Sequence, residues 1–147
     1  MSRADEAATL VADSKMNCAQ AVLSVFCEEL GLDKATALRI ALGFGAGMGR
    51  SGGVCGAVTG AYMVLGLRPY PELKTPVEKK EKVYALVREF NRRFVELHRS
   101  IMCTDLIGYD LSTPDGLAGA RSQKIFSTKC QKFVSDAVSI LEEIGTG

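Results

Sequence analysis

The segment from residue 75 to residue 101 carries the strongest structural signal in the sequence. Thr75, Pro76 and Glu78 form a typical helix start, with an N-cap, a proline at the first position and a capping-box acid. Apolar residues then recur at intervals of 4, 3, 4, 3 and 4, namely Val83, Val87, Phe90, Phe94, Leu97 and Ile101. Because this spacing places them on one face of a helix, we predict a long amphipathic helix.

Two shorter helices are predicted before this one. Asn17 and Gln20 resemble a capping box, and Gly31 suits a C-terminal stop. The apolar residues between them recur at helical spacing and are Ala19, Leu23, Phe26 and Leu30. Asp33 resembles the N-cap of a further helix that runs to about residue 42. Residues 4–12 have helical composition without a clear boundary.

Two more helices are predicted from glycine and capping signals. Residues 53–65 read as a helix closed by Gly66, in which Gly56 and Gly60 form a small-residue face for close approach of another helix. Residues 103–128 read as irregular, with the turn sequence STPDG and one short helix on each side of it. A final helix begins at Thr128 and runs to about residue 144, with an apolar face formed by Val134, Ala137, Leu141 and Ile144.

No segment combines strand-like alternation with hairpin turns, so the predicted fold class is all-α. A length of 147 residues is typical of one domain. We therefore predict a single-domain helical bundle over residues 1–147, with about five main helices and a glycine-rich loop near residues 45–53.

Composition removes several classes of function. The formal net charge is +1 with acids and bases interspersed, which gives no electrostatic case for binding nucleic acid or an anionic membrane. The longest apolar stretch, residues 54–67, is too short to span a bilayer. Asp5, Glu6 and Asp13 stand where a secretory signal needs a basic start and an apolar core, so we expect a cytoplasmic protein.

The five cysteines are the candidate functional residues of the chain. None forms a CxxC pair, which removes the short-range signature of zinc ribbons and thioredoxin-like sites. Four lie at or near predicted helix starts, where free amides and the helix dipole favour a thiolate, namely Cys18, Cys55, Cys103 and Cys130. Cys27 is rotated by about half a turn from Cys18 on one helix. We therefore expect it to lie outside any shared site.

Free energies limit the chemical states that four cysteines at one site can adopt. A helix end contributes about 0.3 to 1 kcal/mol to a nearby charge, whereas burying an unpaired ion costs several kcal/mol. Helix dipoles alone would not hold four buried thiolates together. Such thiols would be partly protonated, paired as disulfides, or bound to a cation such as zinc or cluster iron.

The same four cysteines resemble a family described as redox-active and named for a C-GCAxxG-C-C pattern. Residues 55–60, CGAVTG, match its CGAxxG core. Cys18 matches the upstream cysteine, and Cys103 and Cys130 match the two downstream ones. The resemblance covers nearly the whole chain. It implies a redox or metal-linked role for these four cysteines and an association with transporter systems in some genomes.

Three chemistries remain open for the four cysteines. We favour an iron–sulfur cluster or other metal site for electron transfer, tuned by amides near Gly53, Gly56 and Gly60 that donate towards sulfur. Thiol–disulfide exchange needs only pairs, and a low thiol pKa at helix starts would assist it. The alternative is a structural zinc module that recognises a protein partner. A redox partner protein, a transporter association and a homodimer all stay open, and turnover as an enzyme is not assigned.

The GxGxxG sequence and the single histidine are interpreted as structural features. Residues 47–52 satisfy GxGxxG, but a dinucleotide site needs that motif between a strand and a helix, so a close-packed loop is favoured. A weaker reading is an anion site formed by the loop amides with Arg50. His98, the only histidine, is expected to be solvated or to interact with the end of the long helix.

Overall fold

A computed structural model describes residues 1–145 of the chain. This range forms eight α-helices and no strand, which confirms the all-α prediction. The helices are α1 (Arg3–Ala12), α2 (Cys18–Ser24), α3 (Lys34–Ala41), α4 (Gly56–Leu67), α5 (Pro76–His98), α6 (Cys103–Ile107), α7 (Pro114–Ser122) and α8 (Ile125–Glu143). The predicted number of about five main helices is lower than the observed one, because short helices such as α2 and α6 also form.

The core is built from helix pairs. Helix α1 packs along α8 and α2 packs along α4, in the two most extensive pairings. Helix α5 packs against both α4 and α8, where Phe90 and Phe94 are fully buried and stack 5.8 Å apart. This packing brings the starts of α2, α4 and α6 beside the second turn of α8.

The long helix α5 begins where the sequence predicts. The side chain of Thr75 accepts a hydrogen bond from the backbone N–H of Glu78 at 3.1 Å, and Pro76 is the first helical residue. Its charged residues lie on a solvated face, where Arg92 binds the carboxylate of Glu89 at 2.7 Å. Such exposed ion pairs contribute little to stability. Within residues 1–145, no helix combines the length and apolarity that crossing a membrane requires.

The last turn of α5 differs from the prediction. Leu97 is 59% exposed, and Ile101 lies beyond the helix, which ends at His98. The inward position is taken by His98, whose ring lies 4.9 Å from that of Phe133. Its Nε2 atom lies 2.8 Å from a carboxylate oxygen of Asp136, and the His98 side chain is only 12% exposed. The expectation of a solvated histidine is therefore wrong.

Two predicted helices have different ends in the structure. Helix α2 stops at Ser24, and a single 3-10 turn at Glu28–Leu30 follows before Gly31, which has a φ of 87°. Helix α4 begins at Gly56 rather than residue 53, and it continues through Gly66. The predicted stop at Gly66 is wrong because that glycine keeps a helical conformation.

Two helix starts in the second half of the chain were also misplaced. Helix α7 begins within the STPDG sequence, where the Thr113 side chain accepts a hydrogen bond from the N–H of Gly116 at 3.0 Å. Helix α8 begins at Ile125, three residues before the predicted start at Thr128. The side chain of Thr128 instead donates to the carbonyl of Lys124 at 2.8 Å. The predicted apolar face of α8 is confirmed, since its four residues are buried.

The glycine-rich segment before α4 contains an unusual turn. Five consecutive residues, 46–50, have left-handed backbone angles, with φ between 56° at Ala46 and 72° at Gly49. This conformation costs roughly 1–2 kcal/mol for each residue that carries a side chain. Ala46, Met48 and Arg50 carry side chains, so contacts with other parts of the fold must hold the turn in place.

Candidate functional site

Four of the five cysteines line one cavity of about 430 Å³. They are Cys18, Cys55, Cys103 and Cys130, and each comes from a different helix or helix start. All five cysteines of the chain are free thiols. Apolar residues form much of the remaining wall, namely Val11, Met16, Leu42, Leu106, Ile107, Phe126 and Phe133.

The predicted capping box of α2 fixes the position of Cys18. The side chain of Asn17 accepts from the N–H of Gln20 at 2.9 Å, and the Gln20 side chain accepts from the N–H of Asn17 at 3.0 Å. The Asn17 amide also donates to the carbonyl of Leu42 at 3.0 Å. Cys18 is the first residue of the helix that follows. The capping hydrogen bonds therefore fix the helix start that carries Cys18.

A short backbone bridge positions Cys55 and Cys103 together. Val54 and Met102 form an isolated antiparallel bridge, and each precedes one of the two cysteines. The N–H of Cys55 donates to the carbonyl of Ile101, and the N–H of Cys103 donates to the carbonyl of Gly53, both at 2.8 Å. Because α4 and α6 begin directly after this bridge, the two cysteines are aligned by backbone hydrogen bonds across a long sequence separation.

The glycines of the CGAxxG sequence bring α4 against α2. A Cβ atom on Gly56 would lie 2.9 Å from the backbone nitrogen of Ala19 and 3.1 Å from the Cβ of Cys18. A Cβ atom on Gly60 would lie 2.9 Å from the carbonyl oxygen of Ala19. Only glycine permits this approach, which sets Cys55 beside Cys18.

The predicted cofactor contacts of the three glycines stay predictions. The absence of side chains at Gly56 and Gly60 allows α4 to pack closely against α2. The N–H of Gly53 donates to the carbonyl of Gly47 at 2.9 Å, within the protein itself.

The left-handed turn also contacts the cysteine cavity. A Cβ atom on Gly47 would lie 2.5 Å from the Cβ of Cys103 and 3.2 Å from its sulfur. Gly47 and Arg50 both line the cavity. The GxGxxG sequence therefore forms a close-packed wall element, and no strand precedes it in residues 1–145.

Cys130 reaches the cavity from the second turn of α8. The predicted position at the start of a helix is wrong, because α8 begins at Ile125. The helix dipole argument therefore does not apply to this cysteine. Cys130 instead continues the inward row of α8, and only 7% of it is exposed.

Burial controls the ionisation of two cavity cysteines. It raises the pKa of Cys55 from 9.0 to about 12, although backbone amides of Ala57 and Val58 donate towards the sulfur. Burial also raises the pKa of Cys103 to about 11, with a smaller contribution from nearby Cys130. The amides at the start of α4 act as predicted, but desolvation exceeds their effect. The expected low thiol pKa is wrong for these residues.

Cys18 and Cys130 both line the cavity, and each influences the pKa of the other. The neighbouring Cys18 thiol, as a potential hydrogen-bond donor, lowers the pKa of Cys130, against the opposing effect of burial and with help from Lys129. The neighbouring Cys130, followed by burial, raises the pKa of Cys18 well above 9.0. A thiol that donates to a neighbouring thiolate makes the first ionisation of the pair easier and the second harder. The two steps belong to the pair, and the nearby charge of Lys129 favours Cys130 as the site of the first ionisation.

Cys27 lies apart from the cavity, as the helical geometry predicts. It does not line the cavity, and it is fully buried in the hydrophobic core. Its thiol donates to the carbonyl of Ser24 at 3.5 Å. Helix α2 ends at Ser24, so Cys18 and Cys27 do not share one helix, and the predicted half-turn rotation does not apply although its outcome holds.

The described residues show no metal-binding group. Within residues 1–145, no group of three or more histidine, cysteine, aspartate or glutamate side chains is arranged so that it could hold a metal ion. Thiolates suit zinc and iron–sulfur clusters, and a metal ion lowers the pKa of the thiols that bind it, so the raised pKa values of three of these thiols do not decide the question. The iron–sulfur cluster that the sequence favours stays a prediction.

Sequence reasoning missed two cations that line the cavity. Lys15 follows α1 and Arg121 lies in the last turn of α7, so the fold alone brings them together. No local motif marks either residue. Arg50 also lines the cavity, and the loop signal did single it out.

An all-α fold that lines one cavity with cysteines from four helices defines a class of small helical four-cysteine proteins. The chain belongs to the family described as "Putative redox-active protein (C_GCAxxG_C_C)", whose model matches residues 16–144. An "Uncharacterized protein" of Archaeoglobus fulgidus is 30% identical over 132 residues, which cover 84% of this chain and 81% of the relative. No solved structure matches the chain. The family match confirms the resemblance seen in the sequence.

Proposed function

We propose that this protein is a dithiol–disulfide redox protein whose reacting pair is Cys18 and Cys130. The shared cavity supports the proposal, because it brings Cys18 from α2 and Cys130 from α8 to one site, where each thiol shifts the pKa of the other. Exchange between a dithiol and a disulfide needs one pair of adjacent sulfurs and no metal. The family description as redox-active agrees with this chemistry.

The exchange moves two electrons from the Cys18–Cys130 pair to a disulfide oxidant. The thiolate of Cys130 attacks one sulfur of a disulfide oxidant, forms a mixed disulfide and releases a thiolate. The sulfur of Cys18 then attacks the sulfur of Cys130, and the Cys18 proton passes to the second leaving thiolate. The protein gains a disulfide, while the oxidant takes up two electrons and leaves as one thiolate and one thiol. A reducing dithiol restores the protein by the reverse steps.

Cys55 and Cys103 have a different role in this proposal. Their raised pKa values keep them protonated near neutral pH, so they do not compete as nucleophiles in the first step. They form the wall beside the reacting pair. In a reducing compartment, the pair would stay reduced between reactions.

Mass spectrometry of the protein under controlled redox conditions tests the proposal. The reduced protein is prepared without oxygen, treated with a small disulfide, blocked with iodoacetamide and digested. We expect a single intramolecular disulfide that joins Cys18 to Cys130, and two fewer titratable thiols per chain. Cys18→Ser and Cys130→Ser should each prevent this disulfide, whereas Cys27→Ser should retain it.

Metal analysis of the same anaerobic sample separates the alternatives. Iron in stoichiometric amount with a reducible visible chromophore would favour the cluster, and redox-silent zinc would favour the structural module with a protein partner. Either result would contradict the proposal. A disulfide that forms between other cysteines, or equal loss of oxidation in the Cys18 and Cys27 variants, would also contradict it.

A further inference from the structure

The charged residues that line the cysteine cavity are all basic. Lys15, Arg50 and Arg121 line the cavity, and among residues 1–145 no aspartate or glutamate does so. The whole chain has 18 basic and 17 acidic residues, so its composition does not produce this bias. The fold concentrates positive charge at one site of a nearly neutral protein.

The three cations are available to a ligand. Each is exposed, whereas three of the four cysteines are buried, so the positive groups lie nearer to solvent than those thiols. In the described part of the chain, none of the three forms a salt bridge. A negatively charged molecule that enters the cavity would therefore meet cations without internal partners.

The dimensions of the cavity favour a small molecule. A volume of about 430 Å³ lies in the range of small-molecule sites. Phe126 and Phe133 provide apolar wall, whereas the polar side chains of Asn17 and Gln20 are already hydrogen-bonded within the protein. The reacting pair lies in the wall of this cavity.

We infer that the oxidant of the Cys18–Cys130 pair is a small disulfide that carries carboxylates, guided into the cavity by Lys15, Arg50 and Arg121. This inference rests on the proposed function and names its substrate class. The carboxylates contact the cations near the solvent, and the disulfide bond reaches Cys130. The exchange then follows the two steps given above, and the oxidant leaves as two molecules of a carboxylate-bearing thiol, one of them as its thiolate.

Three disulfides of similar size but different charge test the inference. They are dithiodipropionate, which is dianionic, bis(hydroxyethyl) disulfide, which is neutral, and cystamine, which is dicationic. The rate of Cys18–Cys130 oxidation is measured with each by stopped flow and quenched mass spectrometry, then divided by the rate of the same probe with dithiothreitol. We expect the normalised rate of the dianion to exceed that of the dication by about tenfold or more at low salt.

Matched charge variants separate local attraction from general effects. The Lys15→Gln/Arg50→Gln/Arg121→Gln variant should bring the normalised rates of the three probes to within about twofold of each other. A control variant, Lys79→Gln/Lys80→Gln/Lys82→Gln, removes the same charge from the exposed face of α5 and should keep the preference. The single variants Arg50→Gln and Arg121→Gln provide the same comparison if the triple variant does not fold.

The outcomes distinguish the inference from the proposed function. Equal normalised rates for the three probes in the wild-type protein, or a preference for cystamine, would overturn the inference and leave the dithiol proposal intact. An anion preference that survives in the cavity variant would also overturn it. Failure of all three probes to oxidise the Cys18–Cys130 pair would overturn the proposed function itself.

Discussion

Gly47 lies so close to Cys103 that a Cβ atom at position 47 would be 2.5 Å from the Cβ of Cys103. Gly47 also has a φ of 69°, which disfavours any residue with a side chain. Two independent constraints therefore act on one residue of the cavity wall. They explain why this position of the left-handed turn is a glycine.

Gly47→Ala should destabilise the protein by at least about 1–3 kcal/mol, because it combines overpacking with backbone strain. The free energy of unfolding from urea titration measures this effect. Gly43→Ala is the control, since a Cβ atom there would have no neighbour within 4 Å and φ is not left-handed. Equal stability of the two variants would show that Cys103 moves freely away from position 47.

Substitutions at two glycines of α4 should have opposite effects. Gly60→Ala should cost about 1–3 kcal/mol, because its Cβ would lie 2.9 Å from the carbonyl oxygen of Ala19. Gly66→Ala should stabilise the protein by roughly 0.4–1 kcal/mol, since that exposed position of the same helix has no neighbour within 4 Å. Thermal unfolding of both variants tests the pair. A loss of stability in Gly66→Ala as large as in Gly60→Ala would refute the close contact of α4 with α2.

Removing the hydrogen-bond donor at position 18 should make Cys130 less acidic. Cys18→Ala deletes the thiol that lowers the pKa of Cys130, whereas Cys18→Ser keeps a donor there. We expect the pH profile of Cys130 alkylation by iodoacetamide to move to higher pH in the alanine variant and much less in the serine variant. Peptide mass spectrometry at several pH values measures both profiles. Identical profiles for the two variants would contradict the assigned interaction.

Alkaline pH should destabilise the fold through Cys55. Its pKa is about 12 in the folded protein and 9.0 ordinarily, so above pH 9 the unfolded chain loses a proton that the folded state keeps. The stabilisation is complete below pH 9 and is lost as pH rises towards 12. Each such group contributes a slope of about 1.4 kcal/mol per pH unit within this window.

Cys55→Ala provides the measurement for this alkaline effect. Between pH 10 and 11, its free energy of unfolding should fall less steeply than that of the wild-type protein, by roughly the slope of one proton. A constant offset from the lost side chain does not change this slope. Parallel pH dependences in the two proteins would show that Cys55 ionises normally.

N-cap residues in the sequence predicted the helix starts that depend only on nearby residues. The capping residues Asn17, Asp33 and Thr75 mark helix starts correctly, since each side chain accepts from a nearby backbone N–H. The start of α8 was missed because Lys124 precedes it without a side-chain cap. Thr128, a residue type typical of an N-cap, gave a stronger but misleading local signal.

The cavity itself depends on contacts between distant segments. The resemblance identified the four cysteines, but their acidity could not be read from helix positions. Burial outweighs the amides near Cys55, and burial is a property of the folded chain. The contributions of Lys15 and Arg121 likewise require α1 and α7 to meet at the cavity, which no spacing in the sequence indicates.

Cys18 and Cys130 line one cavity although they are 112 residues apart in a chain of 147 residues. A covalent bond there would convert most of the polypeptide into a closed ring and would reduce the conformational entropy of its denatured ensemble. For a loop of this length, the chain-entropy model gives a stabilisation of about 4.7 kcal/mol. In this protein, the gain or loss of two electrons would therefore also change how readily the whole chain unfolds.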